Sequence, residues 1–393
     1  MRRIAAKYLY TLASAEPVRN GFVEVEDDGT VVRTGVCADP ASEPAFYDGA
    51  VAPGFVNAHC HVELSYLKGQ FRKGTGMAGF IDQINEMRDN KSLQEKVDDL
   101  TREMDSLWEQ GVVGMADISN CDDSFAVKAR HPMYTRTFLE VFGTEPEDCA
   151  AVMDGVRKLK AVADGFGIDA APTPHACYTM SPELVTAVSV EGLKSGFLSF
   201  HSEETEEEEE MLKYGSGKMW ENRMKAGMSV PPVTGKSSLL YFIDRLLAGH
   251  PAPFDEHILL VHECCMDQEG IDAVKAVMNY PFVAVCPLSN LFIHNALPPI
   301  DLMRRNGLKV CVGTDSLSSN DDLNIVDELY CLQRNFPEVP LGEIFTWASR
   351  NGAEFLARPE FGTLEAGKRP GLVFVDNLDA DGRLTAASKS RRL

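Results

Sequence analysis

Between residues 51 and 316 the chain alternates short apolar runs with longer stretches of helical periodicity, and it does so eight times. The runs are VAPGFVNAHCH, GVVGMADIS, MYTRTFLEVFG, GIDAAPTPHA, GFLSFHSEE, HILLVHECC, FVAVCPLSN and KVCVGTDS. Amphipathic stretches separate them, among them FIDQINEMRDNKSLQEKVDDLTREMDSLWEQ, EDCAAVMDGVRKLKAVAD and DQEGIDAVKAVMN. Strands alternating with helices form parallel βαβ units, and eight is the number that closes a (β/α)8 barrel. The interval from His59 to Asp315 matches the roughly 250 residues typical of that fold. An open doubly wound sheet is the competing arrangement, but no Gly-x-Gly-x-x-Gly opens any strand-to-helix turn.

The flanks differ from this core. Residues 1–52 carry alternating segments such as GFVEVEDDGTVV, which folds back at an Asp-Gly turn, and the tail FGTLEAGKRPGLVFVDN is again strand-like. The expected organisation is an α/β chain: a TIM barrel over 53–357 and one small β-sandwich-like domain assembled from 1–52 and 358–393. The 10 cysteines are scattered through a long chain, which fits a reduced, cytoplasmic protein. No apolar run approaches the 18 or more residues that span a bilayer. With 59 acidic and 38 basic residues the formal net charge is −21, which opposes phosphate backbones and anionic lipid. Nucleic acid and membrane are therefore not the expected partners; a small molecule is, and homo-oligomerisation is left open.

The histidines carry the chemistry. There are 9, and five fall at C-terminal ends of proposed strands: His59 and His61 on the first, His175 on the fourth, His201 on the fifth and His262 on the sixth. In a barrel those ends share one mouth, where active sites are built. His59 and His61 are two apart, so a strand points both to one face. Adding His201 and the Asp315 of VGTDS gives three nitrogens and a carboxylate oxygen, a donor set that suits zinc or a similar divalent ion with one position open to water. Residues 203–210, EETEEEEE, read for the most part as the solvated first turn of a helix, where carboxylates favour the positive end of the dipole. Ser289, Asn290, Ser319 and Asn320 read as loop organisers.

APGFVNAHCH, HSEET, LVHECC, CPLSN and GTDSLSSN together resemble the amidohydrolase superfamily, and within it the mononuclear deaminase branch that includes guanine, cytosine, S-adenosylhomocysteine and aminodeoxyfutalosine deaminases. The resemblance covers nearly the whole chain. Near the C-terminus relatives usually read Gly-Lys-x-Ala-Asp where this chain has GKRPG, a departure that touches no ligand. The resemblance implies that His59, His61, His201 and Asp315 hold the metal and that Glu204, His262 and Asp315 carry catalysis. Binuclear members bridge two ions with a lysine on the fourth strand; AAPTPHACYT has none, so one divalent ion is implied, zinc with iron as the alternative. The reaction implied is hydrolytic deamination of an aminated heterocycle, with metal-bound hydroxide attacking the amino-bearing ring carbon and Glu204 shuttling a proton to a ring nitrogen and on to ammonia.

HVELSYLKG, GTGMAGFI and EETEEEEEMLKYGSG look most like aminodeoxyfutalosine deaminases. This implies substrate contacts from His175 and Glu208. That substrate also carries a carboxylate, for which Lys68 or Arg72 would supply the cation; read from the residues alone both are ordinary surface cations. The alternatives are a hydrolase of another class at the same site, releasing chloride from a ring or opening a cyclic amide, and a metal-holding protein without catalysis.

Overall fold

The computed structural model describes every residue of the chain except Ala15, Pro44 and Asp89. In chain order the N-terminal segment forms β1 (Arg2–Leu9), β2 (Val18–Val25), β3 (Val31–Val36) and β4 (Phe46–Pro53). The eight apolar runs form β5 (Phe55–Cys60), β6 (Val112–Ser119), β7 (Tyr134–Val141), β8 (Asp169–Pro174), β9 (Phe197–Ser202), β10 (Phe254–His262), β11 (Met278–Val285) and β12 (Lys309–Val312). The tail adds β13 (Leu372–Val375) and β14 (Ser390–Arg392).

β5 to β8 pair in parallel in chain order, and so do β9 to β12. Two seams join these sheets into the expected barrel. At one, Cys60 bridges Asp315, and the Thr314 and Asp315 N–H groups donate to the His59 carbonyl at 3.0 and 3.1 Å. At the other, the His201 N–H donates to the His175 carbonyl at 2.9 Å, while the Thr173 hydroxyl takes the Ser199 N–H and donates to the Ser199 carbonyl. The first seam depends on Gly313, because a Cβ there would stand 2.8–2.9 Å from the His59 backbone.

Val56, Ala58, Ile118, Phe138, Leu259, Val261, Phe282 and Ala284 come from both sheets and share one buried cluster, which fills the barrel interior. Phe355, at the end of the helix Arg350–Phe355, closes that cluster by stacking on Phe138 and packing against Phe282 and Phe197. A larger cluster joins the outer faces of the strands to the surrounding helices, with Leu100 and Met104 from Leu93–Glu109 and Leu239, Phe242 and Leu246 from Ser238–Gly249. The apolar floor leaves only the C-terminal strand ends for polar chemistry.

The terminal segments meet in a single six-stranded sheet ordered β14-β13-β4-β1-β2-β3. β2 and β3 form the antiparallel hairpin expected from the sequence, with Gly29 at φ +88° in its turn. The long amphipathic stretch after β5 is two helices rather than one, Gly76–Met87 and Leu93–Glu109. The second starts where Ser92 and Glu95 close a reciprocal capping box, a strong helix-start signal inside what looks like continuous periodicity. All 10 cysteines are free, and Cys264 and Cys265 are half-buried on the turn that follows β10. Among the described residues no helix is long and apolar enough to cross a membrane.

Candidate metal centre and catalytic cavity

His59 is the penultimate residue of β5 and His61 immediately follows that strand, His201 lies on β9, and Asp315 follows β12. The Nε2 atoms of His59 and His61 are 3.1 Å apart, those of His59 and His201 3.1 Å, and those of His61 and His201 3.4 Å. Asp315 Oδ1 lies 3.6 Å from His59 and 3.5 Å from His61. All four side chains are buried. A tetrahedral ion with bonds of about 2.0–2.1 Å sets its ligand atoms about 3.4 Å apart, so this spacing fits such an ion. Burial drives the His201 imidazole well below its ordinary pKa, reinforced by His59, His175, His61 and His262. Burial also lowers His61. Neutral imidazoles with converging lone pairs are repulsive on their own and complementary to a cation. Burial opposes ionisation of Asp315, but bonding to His59 and the neighbouring imidazoles outweigh it and hold the carboxyl well below the usual range.

Asp315 Oδ2 accepts bonds from the Ser289 hydroxyl at 2.7 Å and the Ser319 hydroxyl at 2.5 Å, which leaves Oδ1 for the histidines. These serines therefore do more than order loops. Asp315, His262, Glu203 and Glu263 all adopt positive φ, between 49° and 75°. Such strained backbone is held only where its surroundings over-determine it.

Glu204 and His262 face each other, with Oε1 and Nε2 3.6 Å apart. Asn290 donates its side-chain amide to His262 Nδ1 at 3.0 Å. Burial lowers His262 to about 3 and raises Glu204 well above the carboxylate range, with Asp315 and Glu208 adding to the latter. His175 holds Thr179 Oγ1 at 2.7 Å from its Nδ1, and its ring lies 4.7 Å from that of His201. Glu140, which the sequence does not single out, lies with Oε1 3.5 Å from His201 Nδ1 and 3.9 Å from His175 Nε2. His61, Glu140 and His201 also satisfy the spacing of a metal triad.

A cavity of about 480 Å³ opens over these groups. His61, His175, His201, Glu204, His262 and Asp315 line its base. One wall is polar, with Glu63, Asn120 and Glu140. The other is one face of the helix Gly76–Met87, where Met77, Phe80, Ile81 and Ile84 recur at helical spacing and Arg88 follows on the same stripe. Among the described residues the lysines and arginines of the lining are Arg88 and Lys96. Lys68 and Arg72 are not in it: Lys68 pairs with Glu103 at 3.3 Å and Asp322 at 3.0 Å, and Arg72 is exposed. Glu208 is fully buried behind the cavity, where its carboxylate accepts the Glu204 N–H at 2.9 Å.

The glutamate run departs from its expected character. Glu203, Glu204, Glu208 and Glu209 are all buried, so most of the seven are not solvated. Two carboxylates of the run serve backbone donors elsewhere: half-buried Glu207 accepts the Ala78 N–H at 2.8 Å and buried Glu209 the Ser238 N–H at 2.9 Å, each in the first turn of another helix or at its start. Single-segment reasoning cannot see such contacts, because the donors lie far away in sequence.

Comparison with known proteins places this geometry in context. Adenosine deaminase of Helicobacter pylori is 26% identical over 344 residues, covering 85% of this chain and 80% of its own. A 5-methylthioadenosine/S-adenosylhomocysteine deaminase of Halalkalibacterium halodurans is 26% identical over 93% of this chain and 82% of its own. Among solved structures, H. pylori aminofutalosine deaminase with methylthio-coformycin superposes with a TM-score of 0.79 at 24% identity, covering 98% of this chain and 94% of that one. The zinc-bound adenosine deaminase of Xanthomonas campestris gives 0.70 at 20% identity, covering 95% and 84%. The model of the amidohydrolase family matches residues 50–391, from the end of the terminal sheet's fourth strand through the whole barrel and into the last strand, and the chain belongs to that family.

Proposed function

We propose that this protein is a hydrolytic deaminase of adenosine-type nucleosides, using one divalent ion, zinc by preference, held by His59, His61, His201 and Asp315. The observation that carries the reading is the Glu204 carboxyl, 3% exposed and 3.6 Å from His262, beside the histidine cluster at the base of the cavity. The chemistry a divalent ion supplies here when bound is acidification of a water molecule toward neutral pH. Asp315 accepts a proton from the attacking water. His262 stays neutral at physiological pH, so its imidazole orients that water without carrying charge. Glu204 enters the cycle protonated and donates to a ring nitrogen as the amino-bearing carbon becomes tetrahedral. The proton that Asp315 took from the water passes to the departing nitrogen, the carbon–nitrogen bond breaks and ammonia leaves, and the hydroxyl proton released as the carbonyl forms restores Glu204. Glu204 bears on the choice of reaction class: opening a cyclic amide does not call for a ring-nitrogen shuttle.

The relatives' adenosine-derived substrates and the long cavity support a 5′-extended adenosine such as aminodeoxyfutalosine as the substrate. His175 stands where it can contact the heterocycle. The test is an ammonia-release screen of purines, pyrimidines, adenosine, methylthioadenosine, S-adenosylhomocysteine and aminodeoxyfutalosine on zinc-replete protein. Turnover confined to adenosine-type compounds supports the reading. Release of chloride from a halogenated ring, or no ammonia from any amine, overturns it.

A further inference from the structure

A buried ion pair stands directly behind the His-x-His segment. Lys128, at the end of the short helix Phe125–Lys128, places its ammonium 2.5 Å from Asp117 Oδ2, and both side chains are fully buried. The same ammonium reaches the Ser119 hydroxyl at 2.8 Å and the Thr137 hydroxyl at 3.2 Å, so β6 and β7 both hold it. Asp117 Oδ1 is turned the other way and accepts the Val62 N–H at 2.8 Å. Val62 immediately follows His61, whose φ of −121° and ψ of 72° leave the strand conformation. The β5–β6 ladder shifts register between Asn57 and Cys60 and ends at Cys60 opposite Asp117. At the point where the backbone ladder stops, a carboxylate takes the next N–H in place of a carbonyl.

Burying an ion pair is seldom favourable in itself; apolar residues of similar volume often do as well or better for stability. Its presence calls for another role. We infer that Asp117, braced by Lys128, is a positioning residue: it anchors the backbone after His61 so that His59 and His61, on a chain leaving its strand, address one ion. Residues around a metal's ligands act in this way, and their loss typically weakens metal binding without changing the ligands. The inference rests on the reading that these histidines hold a metal.

Three double variants separate positioning from support of the fold. D117N/K128M removes both charges and keeps an oxygen for the Val62 N–H. D117L/K128M removes the acceptor, and D117A/K128M does so with less bulk in case the leucine does not fit. Zinc affinity is read by chelator competition, and melting of the metal-free proteins by circular dichroism. Expected are wild-type-like zinc affinity for D117N/K128M, and zinc binding weaker by roughly 10–100-fold for whichever acceptor-free variant keeps the wild-type melting temperature. An acceptor-free variant that holds zinc as tightly as the wild type overturns the inference, and so does a D117N/K128M that loses zinc equally. A wild-type chain that binds no divalent ion overturns the metal reading itself and the inference with it.

Discussion

At the scale of single residues the site sets His61, His201 and His262, all held below the ordinary imidazole pKa, beside Asp315, held below the carboxylate range, and Glu204, held above it. Burial above all, with Asp315 next, lifts Glu204 well above the carboxylate range, and burial lowers the His262 that faces it to about 3. Deamination through Glu204 needs a proton there before the ring nitrogen receives it. The turnover rate is therefore predicted to hold on the acid side of the Glu204 pKa and to fall as pH rises through it, read as an alkaline limb in the pH profile of kcat. A profile whose alkaline limb survives Glu204→Gln would assign that limb to another group. The His-x-His pair, His201 and Asp315 were legible because a strand's two-residue period and its C-terminal end say where such side chains point. Glu140, Glu63 and Lys128 were not, because an isolated acid or lysine in an apolar run looks the same whether it faces a cavity, another strand or water. Ser289 and Ser319 look like loop residues until Asp315 is seen between them.

At the scale of elements, two helices carry consequences of their own. The helix Glu206–Tyr214 carries two carboxylates of its first turn, Glu208 and Glu209, inside the protein. Burial, Glu209 and Glu203 together raise Glu208 from 4.5 to about 8. The folded chain thus keeps a proton that the unfolded chain releases. That contribution to stability is complete below pH 4.5 and is lost as pH climbs toward 8. Glu208→Gln stays neutral throughout and its amide oxygen can still accept the Glu204 N–H. The variant should melt close to the wild type near pH 5 and roughly 5 °C above it at pH 8. A difference independent of pH would contradict this. The helix Gly76–Met87 lays an apolar stripe along the cavity from Met77, which is 2% exposed, to exposed Arg88, about 16 Å along its axis. A carboxylated substrate lying along that stripe meets Arg88 rather than Lys68 or Arg72. Arg88→Met is predicted to lower kcat/KM for aminodeoxyfutalosine roughly tenfold and to leave adenosine unchanged. Equal loss for both compounds would remove Arg88 from recognition. Sequence alone could not show that Lys68 lies outside the cavity lining, because its partners Glu103 and Asp322 are brought near only in the folded chain.

At the scale of the whole molecule, the barrel was the most legible feature, because eight apolar runs separated by helices leave few other closures. The site depends on that closure at one point. Asp315 reaches His59 and His61 only because β12 approaches β5 across Gly313, where a Cβ would meet the His59 backbone. Gly313→Ala is predicted to cost about 1–3 kcal/mol of stability and to reduce bound zinc in the purified protein, measured by melting and metal analysis together. Full zinc occupancy in that variant would show that the seam and the ligands are independent. The formal charge of −21 counts carboxyls that never meet solvent: Glu204 lines the cavity and Glu203, Glu208, Glu209 and Glu263 are buried, so these do not contribute to solubility. The most direct test of the account is to assay ammonia release from adenosine-type nucleosides by wild type and Glu204→Gln, with zinc content measured on the same samples. The account predicts turnover by the wild type and a loss of roughly 10²–10⁴-fold in the variant at equal zinc content. Unchanged ammonia release by a zinc-loaded Glu204→Gln protein would contradict it.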